Sequence, residues 1–279
     1  MRAGGMVNEA WDLGGTHVLR IVMEGLDPEC DAEAEREAAI VPLMVEAGLT
    51  TPKLVAFESD PSVAPRPYSI YEMAPGDLLG YSDIPMARFE PAYRQVGREM
   101  AVLHRMSLPD EVQSKLLWDV PTHPLEHLEK TLAAGMVTRE DAAEIARWIP
   151  ALEERGGDAP DPVPIHNDVH AWNLMADPDS GELTALLDWG DASIGDPARD
   201  FAMMPLPAVP AMLEGYAEAG GTVDKAFVAR SLHVSMETAL WELRSLDGDA
   251  FDRRWWRMPS GGWAEMKCQL EERFPEHAP

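Results

Sequence analysis

The sequence predicts a mixed α/β (α+β) protein in two parts, a small β-rich region with one helix and then a larger, mainly helical region. Three observations carry this expectation. Short strand-like apolar runs crowd the first part of the chain around glycine and proline turns. After Ala74-Pro75-Gly76 the apolar residues take up helical spacing instead. Beyond that point only one stretch, from Pro162 to about Arg199, again reads as strand and loop. The expected lobes are therefore residues 1–75 and residues 76–279, meeting near Gly76.

Each element has a local reason. Residues 7–11 and 16–23 flank Leu13-Gly14-Gly15 and read as a β-hairpin. Residues 31–47 are rich in Ala, Glu and Leu, place Ile40, Leu43 and Met44 on one helical face, and stop at Gly48. Residues 52–58 and 68–73 read as two further strands. In the second part, Val96, Met100, Val102 and Leu103 mark an amphipathic helix over 90–106. Helices are also expected over 123–134, 139–152, 208–219, 223–245 and 262–274.

Composition narrows the function classes. The chain has 279 residues, 46% hydrophobic and 26% charged, as an ordinary globular protein does. No apolar run approaches the length of a membrane span, and no apolar segment follows the single Arg of the N-terminus, so neither a transmembrane helix nor a secretory signal is expected. Cys30 and Cys268 lie far apart and form no metal-ligand pattern, which fits free thiols in a reducing cytoplasm. A net charge of −26 argues against nucleic acid or an anionic membrane as partner. It suits a cationic small molecule drawn to an acidic cleft, and equally suits plain solubility. Oligomeric state is left open.

The chemistry concentrates in PIHNDVHAWNLMADPDSGELTALLDWGDASIGDPARDFA. Apolar runs at Val163–Ile165 and 183–187 each end near an Asp, and DPDSGE between them reads as a hairpin turn. Asp168, Asn173 and Asp188 are expected to converge at the mouth of one small sheet. A carboxylate able to accept a hydroxyl proton, with an amide oxygen and a second carboxylate for a hard cation, is what magnesium-dependent phosphoryl transfer needs. Two H-x-x-x-H pairs, His166/His170 and His123/His127, raise zinc, but Asn167 rather than Glu follows His166 and that segment reads as strand and loop.

HNDVHAWN followed by LLDWGDASIGDPARDFA resembles the signature of the aminoglycoside phosphotransferase family, relatives of the protein kinases, which reads H-G-D-x-x-x-x-N and then I-D-W-x-x-x-x-x-G-D-P-x-x-D. The resemblance implies a bilobal, protein-kinase-like fold using ATP and Mg²⁺, with Asp168 as catalytic base and Asn173 and Asp188 holding the metal. His166, Asp196 and Asp200 would brace the loop. Upstream, Arg20 matches the cation that meets the nucleotide phosphates. Glu37 matches the helical Glu that pairs with it, with Glu35 as a near competitor. YEMAPG matches the inter-lobe hinge, with the Glu72 carbonyl, Met73 and the Ala74 amide at the adenine. QVGREMAVLHR resembles the family's helix ending in Leu-His.

The chain departs from the family pattern in three places. Asn167 stands where the family has Gly, GGMVNE is not G-x-G-x-x-G, and the first glycines come where the family already has a strand behind it. The nucleotide lobe is thus expected to be trimmed or to lack an edge strand. The resemblance runs from about Gly5 to Ala202 and fades in the C-terminal helices. There Trp241, Trp255, Trp256 and Trp263, with Glu237, Glu242, Asp247, Asp249 and Asp252, would suit a polyamine or aminosugar, or else be helix-packing core and a solvated acidic face. The expected activity is O-phosphorylation of a cationic antibiotic, an aminoglycoside or basic peptide. A metabolic small-molecule kinase or macrolide kinase of the same fold, and a non-catalytic nucleotide-binding regulator, are the alternatives.

Overall fold

The computed structural model describes residues 2–4, 7–119, 122–245 and 253–279. Five antiparallel strands form the N-terminal sheet: β1 (Arg2–Gly4), β2 (Asn8–Leu13), β3 (His17–Val22), β4 (Leu54–Glu58) and β5 (Tyr68–Glu72), in the order β1-β2-β3-β5-β4. The β2–β3 turn places Gly14 and Gly15 at φ +75° and +74°, a conformation only glycine adopts freely, and Asp12 Oδ1 accepts the Gly15 N–H at 2.6 Å. The expected loss of an edge strand is corrected. β1 pairs with β2 in the register Arg2↔Trp11. Gly5 and Met6 of GGMVNE lie outside the described residues.

Helix α1 (Glu29–Glu46) buries Ile40, Val41 and Met44 and ends ahead of Gly48 at φ +83°. The sheet closes at β5, and the chain passes Gly76 at φ +91° into the two-residue strand β6 (Asp77–Leu78). A Cβ on Gly76 would stand 2.5 Å from the Ala176 carbonyl oxygen, so glycine is required there both for its dihedral and for space.

The remainder is mainly helical: α2 (Glu90–Leu103), the single-turn α3 (Asp110–Gln113), α4 (Pro124–Ala133), α5 (Arg139–Gly156), α6 (Val209–Glu218), α7 (Lys225–Ser245) and α8 (Gly262–Arg273). α2 and α6 cross at a pair of glycines. Gly97 faces the Met212 carbonyl and Gly215 faces the Arg94 carbonyl, each too close for a Cβ. One apolar core runs from Ile40 and Met44 through Met100, Ile149 and Trp189 to Leu240. Among the described residues no helix is long and apolar enough to cross a membrane.

Two small sheets sit among the helices, where the sequence suggested one. β7 (Leu117–Trp118) and β8 (Val163–Ile165) flank β11 (Ser193–Gly195), and β9 (Leu174–Ala176) lies between β10 (Leu183–Leu186) and β6. The 177–182 turn does form the predicted hairpin, its Asp177 Oδ1 accepting from the Asp179 and Ser180 amides, but it joins β9 to β10. Val163–Ile165 pairs instead with β11.

In the C-terminal part Trp255, Trp256 and Trp263 are buried packing residues, and Trp241 is exposed. Glu237 and Glu242 are buried rather than part of a solvated face. Asp247, Asp249 and Asp252 lie outside the described residues.

Candidate active site

The loop after β8 is held from below by Asp200. Its carboxylate accepts the His166 N–H at 3.0 Å and the Asn167 N–H at 2.7 Å, and His104 Nε2 meets it at 2.9 Å. Burial works against the Asp200 charge, but His104 and the loop amide overcome it and hold the carboxyl below its ordinary range. Asn167 takes φ +65°, which explains why glycine suits this position and why Asn, tolerant of left-handed backbone, replaces it. Its side chain is then used as a tie, Nδ2 donating to Ser193 Oγ at 3.2 Å and Oδ1 accepting from Arg199 Nε at 3.1 Å.

His166 is wholly buried. Its Nε2 donates to the Leu187 carbonyl at 3.1 Å, and its ring packs 4.4 Å from that of Trp189. Burial holds this imidazole below its ordinary pKa, so it stays neutral and structural. Asp196 caps the turn Pro197–Phe201 and pairs with Arg230 at 2.7 Å.

Above this base the predicted residues come together. Asn173 Nδ2 donates to the Asp168 carbonyl at 3.0 Å and to Asp168 Oδ2 at 2.6 Å, leaving Asn173 Oδ1 as an available acceptor. His170 Nδ1 accepts the Trp172 N–H at 3.1 Å, so its Nε2 carries the proton toward Asp168 Oδ1, 3.2 Å away. Burial disfavours the Asp168 carboxylate, yet His170, His166 and Asn173 outweigh it and keep the carboxyl below the usual range.

Asp188 lies at the end of β10 with φ +63° and ψ +74°, a strained conformation for a non-glycine residue. Its Oδ1 accepts from Arg20 Nη2 at 3.0 Å, while Arg20 Nη1 donates to Glu37 Oε1 at 2.7 Å. Strand β3, helix α1 and the Asp188-Trp189-Gly190 turn are thereby joined through one guanidinium. Burial opposes the Arg20 charge, but Asp188 and then Glu37 push its pKa above the ordinary value. Glu37 is buried against Arg20, and Glu35 points to solvent.

In the stretch expected to be the hinge, the Glu72 N–H donates to the Lys53 carbonyl at 2.9 Å and the Met73 N–H to the Thr16 carbonyl at 2.8 Å. The Ala74 N–H has no partner among the described residues.

Several residues at the site were not picked out from the sequence. In the sequence His170 stands out only as half of an H-x-x-x-H pair, although its place between Asp168 and Asn173 is a signal of its own. Arg36, beside Glu37, is buried and ties α1 to the site by donating to the Gly190 carbonyl and, at 3.0 Å, to the Lys115 carbonyl. Arg199 links Asn167 to Asp119 (3.1 Å) and Glu237 (3.5 Å), and Thr122 Oγ1 donates to Glu237 at 2.5 Å. These contacts join segments remote in sequence, which no local pattern reveals.

An antiparallel sheet whose Arg20 pairs with Glu37 of helix α1, set against a helical region with an Asp-x-x-x-x-Asn loop and an Asp-Trp-Gly turn, defines a protein-kinase-like fold. A model of the phosphotransferase enzyme family matches residues 2–235. The chain belongs to that family.

Similar structures agree on the fold. A point mutant of aminoglycoside 2'-phosphotransferase IIIa in complex with GDP superposes with a TM-score of 0.66 at 18% identity, covering 99% of this chain and 92% of that one. Macrolide 2'-phosphotransferase type I gives 0.59 at 19% identity, covering 97% and 90%. Spectinomycin phosphotransferase in complex with ADP and spectinomycin gives 0.59 at 14% identity, covering 98% and 88%. Among curated proteins, the mouse acyl-CoA dehydrogenase family member 10 is 24% identical over 174 residues, 60% of this chain and 16% of its own length. The uncharacterized protein YcbJ of Bacillus subtilis is 36% identical over 63 residues, 21% of this chain and 20% of its own length. The matches thus span a fifth or less of these curated relatives.

Proposed function

We propose that this chain is an ATP-dependent small-molecule O-phosphotransferase acting on a cationic acceptor of the aminoglycoside or basic-peptide type. The observation that carries the reading is the Asp168–Asn173 bond set beside the Arg20–Glu37–Asp188 network, the two tied where the Leu187 N–H, next to Asp188, donates to the Asn173 carbonyl at 2.8 Å. Residues 1–75 form the nucleotide lobe and residues 76–279 the catalytic and acceptor lobe. Supporting that division, Gly76 has a left-handed backbone, and Thr184 Oγ1 donates to the Pro75 carbonyl at 2.6 Å.

ATP lies under the N-terminal sheet, its adenine against Glu72, Met73 and Ala74, where the unpartnered Ala74 N–H offers a donor. Arg20, oriented by Glu37, faces the phosphates. Asn173 Oδ1 and the Asp188 carboxylate are oxygen donors suited to Mg²⁺, which supplies neutralisation of phosphate charge. Asp168, kept ionised by His170 and Asn173, takes the proton of the acceptor hydroxyl. The acceptor oxygen bonds to the γ-phosphorus as the bond to the β–γ bridging oxygen breaks, releasing ADP. Positioning and charge do most of the work.

Glu33, half-buried, has a carboxyl pushed up by burial and by Asp188 and Asp168, so negative charge is dense around the site. That density favours a cationic acceptor. Incubation with ATP and a panel of aminoglycosides, basic peptides, macrolides, sugars and amino alcohols, read by mass, tests the proposal. A gain of one phosphate on a cationic antibiotic supports it. Phosphate on a sugar, amino alcohol or macrolide alone replaces the acceptor, and nucleotide binding without any product overturns the enzyme reading.

A further inference from the structure

We propose that His123, Glu153 and His233 form a zinc-binding site joining three helices of the C-terminal region, separate from the Asp168 site. His123 is the capping residue of α4, Glu153 lies in the last turn of α5, and His233 lies in the first half of α7. α7 packs along both α4 and α5 and so gathers the three side chains. His123 Nε2 and Glu153 Oε2 are 3.6 Å apart, and the two imidazoles meet edge to face, 5.9 Å between centroids at 85°. One ligand atom from each residue lies within 4.8 Å of the other two. With metal–ligand distances of about 2.0–2.2 Å, tetrahedral zinc holds its ligand atoms about 3.3 Å apart. Small rotations of the His123 and Glu153 side chains, both solvent-accessible, close that gap.

A second, independent feature points to a ligand. The Nε2 of His233 is buried and has no hydrogen-bond partner among the described residues. Buried polar atoms are rarely left in that state. Two imidazole nitrogens and one carboxylate suit zinc better than magnesium or calcium, which prefer all-oxygen surroundings. The fourth position is open to water beside the exposed Glu153. Ligation through His123 Nε2 moves the imidazole proton to Nδ1, so the bond from the Leu125 N–H to Nδ1, 3.2 Å long, is given up in exchange.

The histidine spacing in the sequence conceals this set. His127, four residues after His123, is directed elsewhere, its Nε2 against Thr122 Oγ1 at 2.9 Å and its Nδ1 against Arg244 at 3.3 Å. The site also has a place in the architecture. Thr122, next to His123, bonds to Glu237, one helical turn beyond His233 on α7. Zinc would fasten the Thr122–His123 segment to α7 beside the Glu237–Arg199 pair.

The test uses untagged full-length protein and zinc chloride, with magnesium in excess. Calorimetric titration is expected to give one zinc per chain, and zinc-soaked crystals an anomalous peak between the three side chains. His233→Ala and, separately, Glu153→Gln are expected to weaken binding by more than the roughly 10–100-fold that loss of an outer-shell partner costs. Glu153 is exposed, so its variant folds even where His233→Ala does not. Zinc should raise the thermal midpoint of the parent protein and leave that of the variants unmoved. Absence of zinc binding, an anomalous peak only at Asp168 and Asp188, or unchanged affinity in Glu153→Gln would overturn the proposal.

Discussion

Asp168 is the residue on which the proposed chemistry turns. Asp168→Ala is expected to lower the acceptor-dependent turnover by about 10²–10⁴-fold, the usual contribution of a general base. The measurement is steady-state ADP release, with far-UV circular dichroism to check folding. Beneath it, Asp200 carries a stability prediction. Its folded carboxyl lies below its unfolded value, so the stabilisation is present above the unfolded pKa and is lost as pH falls through the folded one. Asp200→Asn keeps the shape but removes the charge that the His166 and Asn167 amides address. It is expected to cost about 1.5–3 kcal/mol at neutral pH, as for one charge-assisted bond. The difference from the parent should shrink as pH falls below about 4, the ordinary Asp value, and on through the lower folded one. Urea titrations at several pH values read this directly, and a difference that grows toward acid would show that the Asp200 charge does not stabilise the loop.

At the scale of elements, the crossing of α2 and α6 sets helix propensity against packing. Gly97→Ala gains about 1 kcal/mol of intrinsic helix preference. The new methyl would fall on the Met212 carbonyl, a backbone atom that cannot swing aside. Overpacking of this kind costs about 1–3 kcal/mol, so net destabilisation is expected, read as a lower urea midpoint at unchanged slope. Glu242 and Arg257 form a second junction. Arg257 donates from its backbone N–H to Glu242 at 3.0 Å and from its guanidinium to the Phe201 and Ala202 carbonyls, fixing the segment after Arg253–Trp255 to the Pro197–Phe201 turn. Both are buried, and burial pushes the Glu242 carboxyl up to about 7 and the Arg257 guanidinium down to about 9. Glu242→Ala would remove the acceptor of the buried Arg257 N–H and a carboxyl that favours the Arg257 charge, at a cost of about 1–3 kcal/mol by equilibrium denaturation.

The elements also divide what was readable from what was not. The long helices were legible because their apolar stripes repeat, and the DPDSGE turn because its residues carry their own backbone preferences. Val163–Ile165 pairs outside the sheet its sequence suggests because three apolar residues contain no pairing information, and β11 arrives from beyond Asp188. Asp168, Asn173 and Asp188 were legible because they sit within one short stretch. His123, Glu153 and His233, like Arg199 and its partners, meet only after helices far apart in the chain have packed.

For the whole molecule, the net charge of −26 makes opposite demands on the two proposed substrates. A cationic acceptor would be attracted toward the carboxylates around Asp168, and an anionic nucleotide would be repelled until Arg20 and a cation at Asn173 and Asp188 received it. Both effects are screened by salt, the Debye length falling from about 10 Å at 0.1 M to about 3 Å at 1 M. Raising ionic strength is therefore expected to lower kcat/KM for the cationic acceptor and to lower KM for the nucleotide. A neutral sugar acceptor, where one is turned over, should lack the first response and keep the second. Initial rates over a salt series, varying each substrate in turn, separate the two. If kcat/KM for the cationic acceptor holds steady or rises with salt while the nucleotide KM falls, the acidity serves solubility alone, and the acceptor is selected by shape and hydrogen bonding rather than by charge.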